Sequence, residues 1–152
     1  MAVRILLALL CLTFTSSVPI NAFAVQDKSV WVGWWRNIDP ATGGMTRVQF
    51  RTDASNLLLH AWGSCHPVEC DIPERAMSVD EIGPQALTFT WNTTNARTGV
   101  TFAVRPTKIT MLQNGNFSME QHTHFVDGSR RADQDSVWEF ARCAEPCVWT
   151  RQ

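Results

Sequence analysis

The sequence has no tyrosine and only two lysines among its 152 residues, and 18% of its residues are charged. Its 13 cationic and 14 acidic side chains nearly cancel, and neither kind forms a block. A nucleic-acid surface needs clustered Lys and Arg, so this distribution argues against a nucleic-acid partner. The chain also lacks a glycine-rich phosphate loop, a G-x-S-x-G nucleophile motif and an H-E-x-x-H metal motif. We therefore predict no catalytic residue and no cofactor, and favour a binding module over an enzyme.

The first 24 residues have the form of a secretory signal peptide. Arg4 provides a positive start, residues 5–12 are apolar, and the Ala-Phe-Ala sequence that ends at Ala24 is a small-x-small cleavage site. The apolar run is shorter than the roughly 20 residues that span a bilayer, and no longer run follows it. We expect cleavage near Ala24, export to the periplasm or the cell exterior, and no membrane span. Residues 25–152 then form a single mature domain.

Four cysteines follow the leader: Cys65, Cys70, Cys143 and Cys147. An even number of cysteines in an oxidising compartment predicts disulfides. The short spacings favour the pairs Cys65–Cys70 and Cys143–Cys147, whereas a crossed arrangement would tie the C-terminus to the Cys65 loop. Zinc is the alternative, because two short cysteine pairs also suit a tetrahedral site. The C-x4-C and C-x3-C spacings and the expected export favour disulfides.

Alternating polar and apolar residues, interrupted by regular turn signals, predict an all-β mature chain. Residues 45–52 and 87–92 alternate most clearly, and Asn114-Gly115 predicts a type I′ hairpin, in which both turn positions need positive φ. We expect a connection over residues 63–73 and a weak strand or helical turn over 77–82. About eight strands predict one small antiparallel barrel, with a β-sandwich as the alternative. A barrel has the advantage of leaving no open sheet edge.

Two sets of motifs resemble known β-domains. Gly33-x-Trp35-x-Asn37 is similar to the first strand of the calycins, the lipocalin-like and avidin-like barrels. That resemblance implies that Trp35 closes one end of the barrel and that Arg142, near the last strand, packs over it. The motifs W-x-N, T-R, W-G-x-C-x-P-x-x-C and T-x-F-x-D-x-S-x-R, between Trp35 and Arg131, resemble a recurrent small secreted bacterial domain. This second resemblance implies a β-rich exported module and no particular activity.

Tryptophans are the main candidates for ligand contacts. Exposed indoles often mark binding sites, and neighbouring strand residues such as Trp34 and Trp35 point to opposite faces. The ligand would be a small apolar or amphipathic molecule in the barrel, or a glycan or extracellular protein at the loop end. The candidate ligand-binding residues are Trp31, Trp34, Trp35, Asn37, Trp62 and Trp91.

Arginine outnumbers lysine by eleven to two in the chain. Guanidinium groups bind carboxylate, phosphate and sulfate in a bidentate manner and stack on indoles, so the arginines are candidates for an anionic-ligand surface. Ion pairs with the fourteen acids and packing at the edge of the core account for the same residues without a ligand. That second interpretation is the one we favour.

Two alternative functions use other residues. A loop closed by Cys65 and Cys70 would be a rigid wedge with which an inhibitor or interaction protein binds an extracellular partner. A metal-dependent enzyme would use His122 and His124, since two imidazoles about 7 Å apart on one strand face can share an ion. Glu120 lies on the same face and is the third candidate metal ligand. The competing interpretation places these three side chains on the solvent face of their strand.

Overall fold

The computed structural model describes residues 27–65, 68–95 and 97–150. The predicted signal peptide and its cleavage site near Ala24 lie outside the described residues. In the described part, eight strands form one antiparallel sheet. No helix in that part of the chain is long and apolar enough to cross a membrane. The strands are β1 (Gly33–Asn37), β2 (Met45–Asp53), β3 (Asn56–Gly63), β4 (Cys70–Met77), β5 (Ala86–Thr94), β6 (Thr101–Met111), β7 (Phe117–Phe125) and β8 (Gln134–Cys143).

The sheet curls into a nearly closed barrel. Consecutive strands pair with each other from β1 to β4 and from β5 to β8, and β1 also pairs with β8 through Trp35 opposite Arg142. The remaining seam lies between β4 and β5, where the Arg75 guanidinium donates a hydrogen bond to the carbonyl of Thr90 across 3.2 Å. The predicted antiparallel barrel is confirmed, and the β-sandwich alternative is wrong.

Aromatic side chains fill one half of the barrel interior and close that end. Trp31, Trp35, Phe50, Phe117 and Phe140 are each at most 1% exposed. Their rings pack edge to face and face to face, with centroids 4.9 Å apart for Trp35 and Phe117 and 4.8 Å apart for Phe117 and Phe140. Burying a side chain of this size contributes roughly 1.5–3 kcal/mol, so the cluster is a main source of stability. We call it the aromatic floor and its end of the barrel the closed end.

A short turn before β1 brings Trp31 onto this floor. Asp27 accepts a hydrogen bond from the backbone N–H of Ser29 over 2.9 Å, which caps a 3-10 turn at Lys28–Val30. The indole N–H of Trp35 then donates to the carbonyl of Trp31 over 2.8 Å. Arg142 lies over the Trp35 ring, so the contact implied by the calycin resemblance is present. Membership of that family remains an expectation.

Two local predictions are wrong. Residues 70–77 form β4, although we expected a connection as far as residue 73. Pro73 and the exposed polar residues of β4 mask the strand, and an edge strand tolerates the missing proline N–H. The helical turn that we expected within residues 77–82 is present at Val79–Glu81. In the β6–β7 turn Gly115 has φ +83° but Asn114 does not have positive φ, so the turn is not type I′.

Both predicted disulfides are present, Cys65–Cys70 and Cys143–Cys147. The crossed pairing and the zinc alternative are therefore wrong. The first disulfide closes the connection between β3 and β4. The second turns the chain back after β8, so that the carbonyl of Cys147 accepts a hydrogen bond from Arg47 on the outside of β2 over 3.0 Å. Two disulfides fit an oxidising compartment outside the cytoplasm.

Candidate functional site

The end of the barrel opposite to the aromatic floor contains a cavity of about 690 Å³. The connections that follow β1, β3, β5 and β7 leave the barrel at this end. Interior side chains of β4, β6, β7 and β8 line the cavity, together with backbone and side chains of the connections after β1 and β3. We call it the open-end cavity. Because strands form most of its wall, its shape is set by the barrel itself rather than by a mobile loop.

Polar side chains form one wall of the open-end cavity. Gln121 is buried and its amide donates to the Thr107 hydroxyl over 3.0 Å, and that hydroxyl donates to the carbonyl of Arg105 over 3.0 Å. These bonds hold the Gln121 side chain in one orientation at the cavity wall. The apolar part of the lining comes from Met45, Ile72 and Trp138 on other strands. The other polar side chains of β6 to β8 that line the cavity are Arg105, Thr123, Gln134 and Ser136.

Arg105 is the cationic side chain among the described residues that line this cavity. Its Nε is buried and has no hydrogen-bond partner in the described part of the chain. Burial lowers the pKa of the Arg105 guanidinium below its ordinary value, since desolvation disfavours the charged form. An arginine in a protein nevertheless remains protonated at neutral pH. The cavity therefore contains a positive charge that no carboxylate among the described residues contacts.

The W-x-N motif shapes one side of the cavity mouth. Asn37 is buried; its side-chain amide donates to the carbonyl of Met45 over 2.7 Å and its side-chain oxygen accepts from the N–H of Asp39 over 2.9 Å. These two bonds fold the β1–β2 connection back against the barrel. Gly44, at the end of this connection, packs against the Trp138 indole at the cavity wall.

The T-R and cysteine motifs meet at a second side of the mouth. The hydroxyl of Thr46 donates to the carbonyl of Trp62 over 3.0 Å and contacts the Glu69 carboxylate at 2.5 Å. Arg47 donates to the other oxygen of the same carboxylate over 2.8 Å. Glu69 lies beside Cys70, so these bonds anchor the disulfide-closed connection to β2. These motif residues stabilise the connection between β3 and β4.

The T-x-F-x-D-x-S-x-R motif forms a self-contained turn after β7. Arg131 donates to Asp127 over 2.6 Å and to the Ser129 hydroxyl over 2.8 Å. Its guanidinium carbon lies 3.9 Å from the centroid of the Phe125 ring. The four motifs thus hold connections around the mouth of the open-end cavity.

The predicted ligand-binding residues do not line this cavity. Trp31 and Trp35 belong to the aromatic floor, and Asn37 holds the β1–β2 connection. Trp91 is half-buried on the interior side of β5, where it is the sheet neighbour of Arg105. The other two residues, Trp34 and Trp62, are on the outer face.

The outer-face tryptophans form a packed stack with two polar neighbours. The Trp62 ring lies 5.3 Å from Trp34 and 4.0 Å from the His60 ring, centroid to centroid. The Arg47 guanidinium lies 4.3 Å from the Trp62 centroid. His60 also contacts Asp71 over 2.7 Å. The indole faces are therefore engaged by protein groups, which is unlike a sugar-binding platform.

The candidate metal ligands lie on the outside of β7. Glu120, His122 and His124 are exposed, and they alternate with interior side chains of the same strand. His122 contacts Asp135 over 2.7 Å and His124 contacts Asp133 over 2.9 Å. The hydrogen bond to Asp135 raises the pKa of His122. In the described residues no group of three or more His, Cys, Asp or Glu side chains is arranged to hold a metal ion.

The cavity residues Arg105, Thr123 and Ser136 were not among our sequence candidates. A usable signal is present in β7, where Gln121 and Thr123 follow Met119 on the interior face. Polar residues at interior positions of one strand end indicate a polar site at that end of a barrel. Comparison with protein-family models, with curated proteins and with solved structures finds no match to this chain.

Proposed function

We propose that this chain is an exported binding protein that holds a small amphipathic molecule in the open-end cavity. The single observation that carries the proposal is the division of the barrel interior into an aromatic floor and a cavity of about 690 Å³. Binding sites for small molecules commonly have volumes of roughly 300–1,000 Å³ and combine apolar walls with a few fixed polar groups. Trp138 and Ile72 provide apolar surface here, and Gln121 is a polar group held in place by its bond to Thr107.

Export is part of the same proposal. The leader-like residues 1–24 and the two disulfides support it. A small domain with one disulfide in the β3–β4 connection and another directly after β8 suits a protein that works outside the cytoplasm.

The shallower groove on the outer face is a weaker candidate. It has a volume of about 410 Å³ and runs past Lys108, Glu120 and His122. His122 is already bonded to Asp135, which also lines this groove. The groove therefore offers fewer free polar groups than the barrel interior.

The proposal is tested with anilinonaphthalene, a neutral dye that fluoresces when it leaves water, and its sulfonate derivative. Ser136→Trp would fill the cavity from β8, because Ser136 faces the interior opposite Gln121. Thr90→Trp is the matched control, since Thr90 is exposed on the outer face of β5. We expect the mature wild type and the control to bind at least one dye, and Ser136→Trp to lose at least about tenfold in affinity.

Circular dichroism would show whether Ser136→Trp is folded, and Ser136→Leu is the smaller replacement if it is not. Failure of both dyes to bind the wild type would overturn the proposal. Equal binding by Ser136→Trp and Thr90→Trp would also overturn it, because the dye would then sit elsewhere.

The Cys65–Cys70 connection supports a second candidate, an interaction with an extracellular protein. Val68 is 70% exposed within this disulfide-closed segment. An exposed apolar side chain on a constrained loop resembles the anchor of a protein–protein contact. A partner captured by the wild type should be lost with Val68→Ser and kept with Val126→Ser, an exposed valine after β7. Equal capture by the two variants would exclude this role for the loop.

A further inference from the structure

Among the described residues three arginines face the interior of the barrel, and they differ in their hydrogen-bond partners. Arg75 donates to Glu81 over 2.6 Å and to the carbonyl of Thr90. Arg142 donates to backbone carbonyls at the closed end. Arg105 has neither an ion pair nor a partner for its buried Nε among the described residues. Arg75 and Arg142 thus have hydrogen-bond partners within the barrel, whereas Arg105 lies at the cavity wall without a partner for its Nε in the described part of the chain.

The acidic groups near the cavity do not neutralise Arg105. Asp39 is the carboxylate among the described residues that line the cavity, and it lies in the β1–β2 connection. One of its oxygens accepts a hydrogen bond from the N–H of Ala41 over 2.9 Å. Glu120 on β7, Asp135 on β8 and Asp133 just before β8 lie on the outer face. A cation in a partly buried, unpaired position is costly unless something else supplies the negative charge.

Resting on the proposed function, we propose that the open-end cavity selects small organic anions, whose carboxylate or sulfonate group is bound by Arg105. The planar guanidinium is suited to the two oxygens of such a group. The register between β6 and β7, with Val104 opposite His124 and Thr107 opposite Gln121, places Thr123 opposite Arg105. The Thr123 hydroxyl can therefore donate to the same anion.

The rest of the ligand would contact the other side of the cavity. Met45 on β2, Ile72 on β4 and Trp138 on β8 provide its apolar surface. An unpaired cation together with apolar side chains matches an amphipathic anion better than a sugar, because a sugar has no negative charge to place beside Arg105. The same cavity also suits an amphipathic anion better than an uncharged apolar molecule, because the uncharged molecule would bury Arg105 without a counter-charge.

The matched dyes separate the anion proposal from the proposed function. Anilinonaphthalene and its sulfonate share their rings, so the ratio of their dissociation constants measures the preference for the anionic group. We expect the wild type to favour the sulfonate by about tenfold or more, the usual effect of a hydrogen bond to a charged group. Arg105→Met should bring the ratio close to one, and Arg105→Lys should keep part of the preference.

Arg97→Met is the control for non-specific attraction. Arg97 is exposed in the connection after β5, at the same end of the barrel, so its loss changes the net charge equally. The ratio of the two dissociation constants should stay within about twofold of the wild-type ratio, since exposed charges are screened by salt.

A second comparison uses the wild type alone. Octanoate should displace the bound neutral dye at a concentration about tenfold lower than octanol does, because only octanoate has a group for Arg105.

The results distinguish the two proposals. Binding of both dyes with equal affinity, or an unchanged ratio in Arg105→Met, would overturn the anion selectivity while leaving small-molecule binding intact. Binding of neither dye would overturn the proposed function itself. An equal loss of selectivity in Arg97→Met would show that general charge, and not Arg105, attracts the sulfonate.

Discussion

The guanidinium of Arg142 on the last strand lies over the ring of Trp35 on the first strand, 4.3 Å from its centroid. The same group donates to the carbonyl of Val32 over 2.9 Å and to that of Val30 over 2.5 Å. It therefore joins β8, β1 and the N-terminal turn at the closed end. Closure of the barrel at this end depends on this side chain as well as on strand pairing.

Replacing Arg142 by lysine should destabilise the barrel. Lysine keeps the charge but lacks the planar fork that contacts two carbonyls and one indole together. We expect the free energy of unfolding in urea to fall by about 1–2 kcal/mol. Arg36→Lys is the control, because Arg36 is exposed on the outer face of β1. Equal stability of the two variants would contradict a closing role for Arg142.

Gly44 and Gly43 offer a matched pair at the cavity mouth. A Cβ on Gly44 would lie 2.6 Å from the Trp138 ring, whereas a Cβ on Gly43 would meet nothing within 4 Å. We expect Gly44→Ala to lower the free energy of unfolding by about 1–3 kcal/mol, because the connection must move away from the indole. Gly43→Ala should be nearly neutral. Thermal unfolding followed by tryptophan fluorescence measures both, and similar losses for the two would refute this packing.

The ion pair between Arg75 and Glu81 should hold the seam between β4 and β5. Burial alone would raise the pKa of Glu81, but its hydrogen bonds from Ser78 and Arg75 outweigh this and keep the pKa below the ordinary value. Arg75→Met would leave Glu81 without its partner, and we expect a loss of about 2 kcal/mol in unfolding free energy. Hydrogen exchange should also accelerate in β4 and β5.

The exposed ion pair between Arg51 and Glu74 is the control for the Arg75–Glu81 ion pair at the seam. Its atoms approach to 2.6 Å, but the Arg51 side chain is largely in solvent. Arg51→Met should cost no more than about 0.5 kcal/mol. Adding Glu81→Gln to Arg75→Met should recover part of the loss, and no recovery would argue against the ion pair as its cause.

Stability should depend on pH through His122. The hydrogen bond to Asp135 raises the pKa of His122 above its ordinary 6.5, and the nearby Asp133 adds to this effect. A raised folded-state pKa contributes stability that is fully present below pH 6.5 and is lost as the pH rises through the folded value. Between about pH 6 and pH 8 the wild type should therefore lose more stability than Asp135→Asn does.

The NMR titration of the His122 ring measures the same effect directly. Its pKa should fall towards the ordinary value in Asp135→Asn and stay raised in Asp80→Asn, which changes an exposed carboxylate in the turn after β4. The opposite shift applies to Asp133, whose pKa is lowered chiefly by its hydrogen bond from His124. Its contribution is present above pH 3.8 and is lost as the pH falls below that value. An unshifted His122 pKa in the wild type would contradict the first statement, and an Asp133 pKa at its ordinary value would contradict the second.

Much of the fold could be predicted from the sequence, because apolar and polar residues alternate along a strand that has one buried face. Val48 and Phe50 alternate with Gln49 and Arg51, and the structure buries the first pair and not the second. The charged, Pro-containing strand β4 was missed because an edge strand with exposed polar residues has little alternation to detect. The candidate site was harder, since tryptophan clusters mark packing as often as binding.

The sequence by itself determined the all-β class and the faces of the clearest strands, and it favoured the two short-range disulfides over a crossed pairing. Each of these follows from short-range pattern: alternation within one strand, or two cysteines a few residues apart. Only the tertiary structure decided which end of the barrel is filled and which is hollow. Arg105, Thr123 and Ser136 lie on three different strands, and strand register brings them to one cavity. A shift of one residue in that register would turn each of them to the outer face, so no local pattern could specify the site.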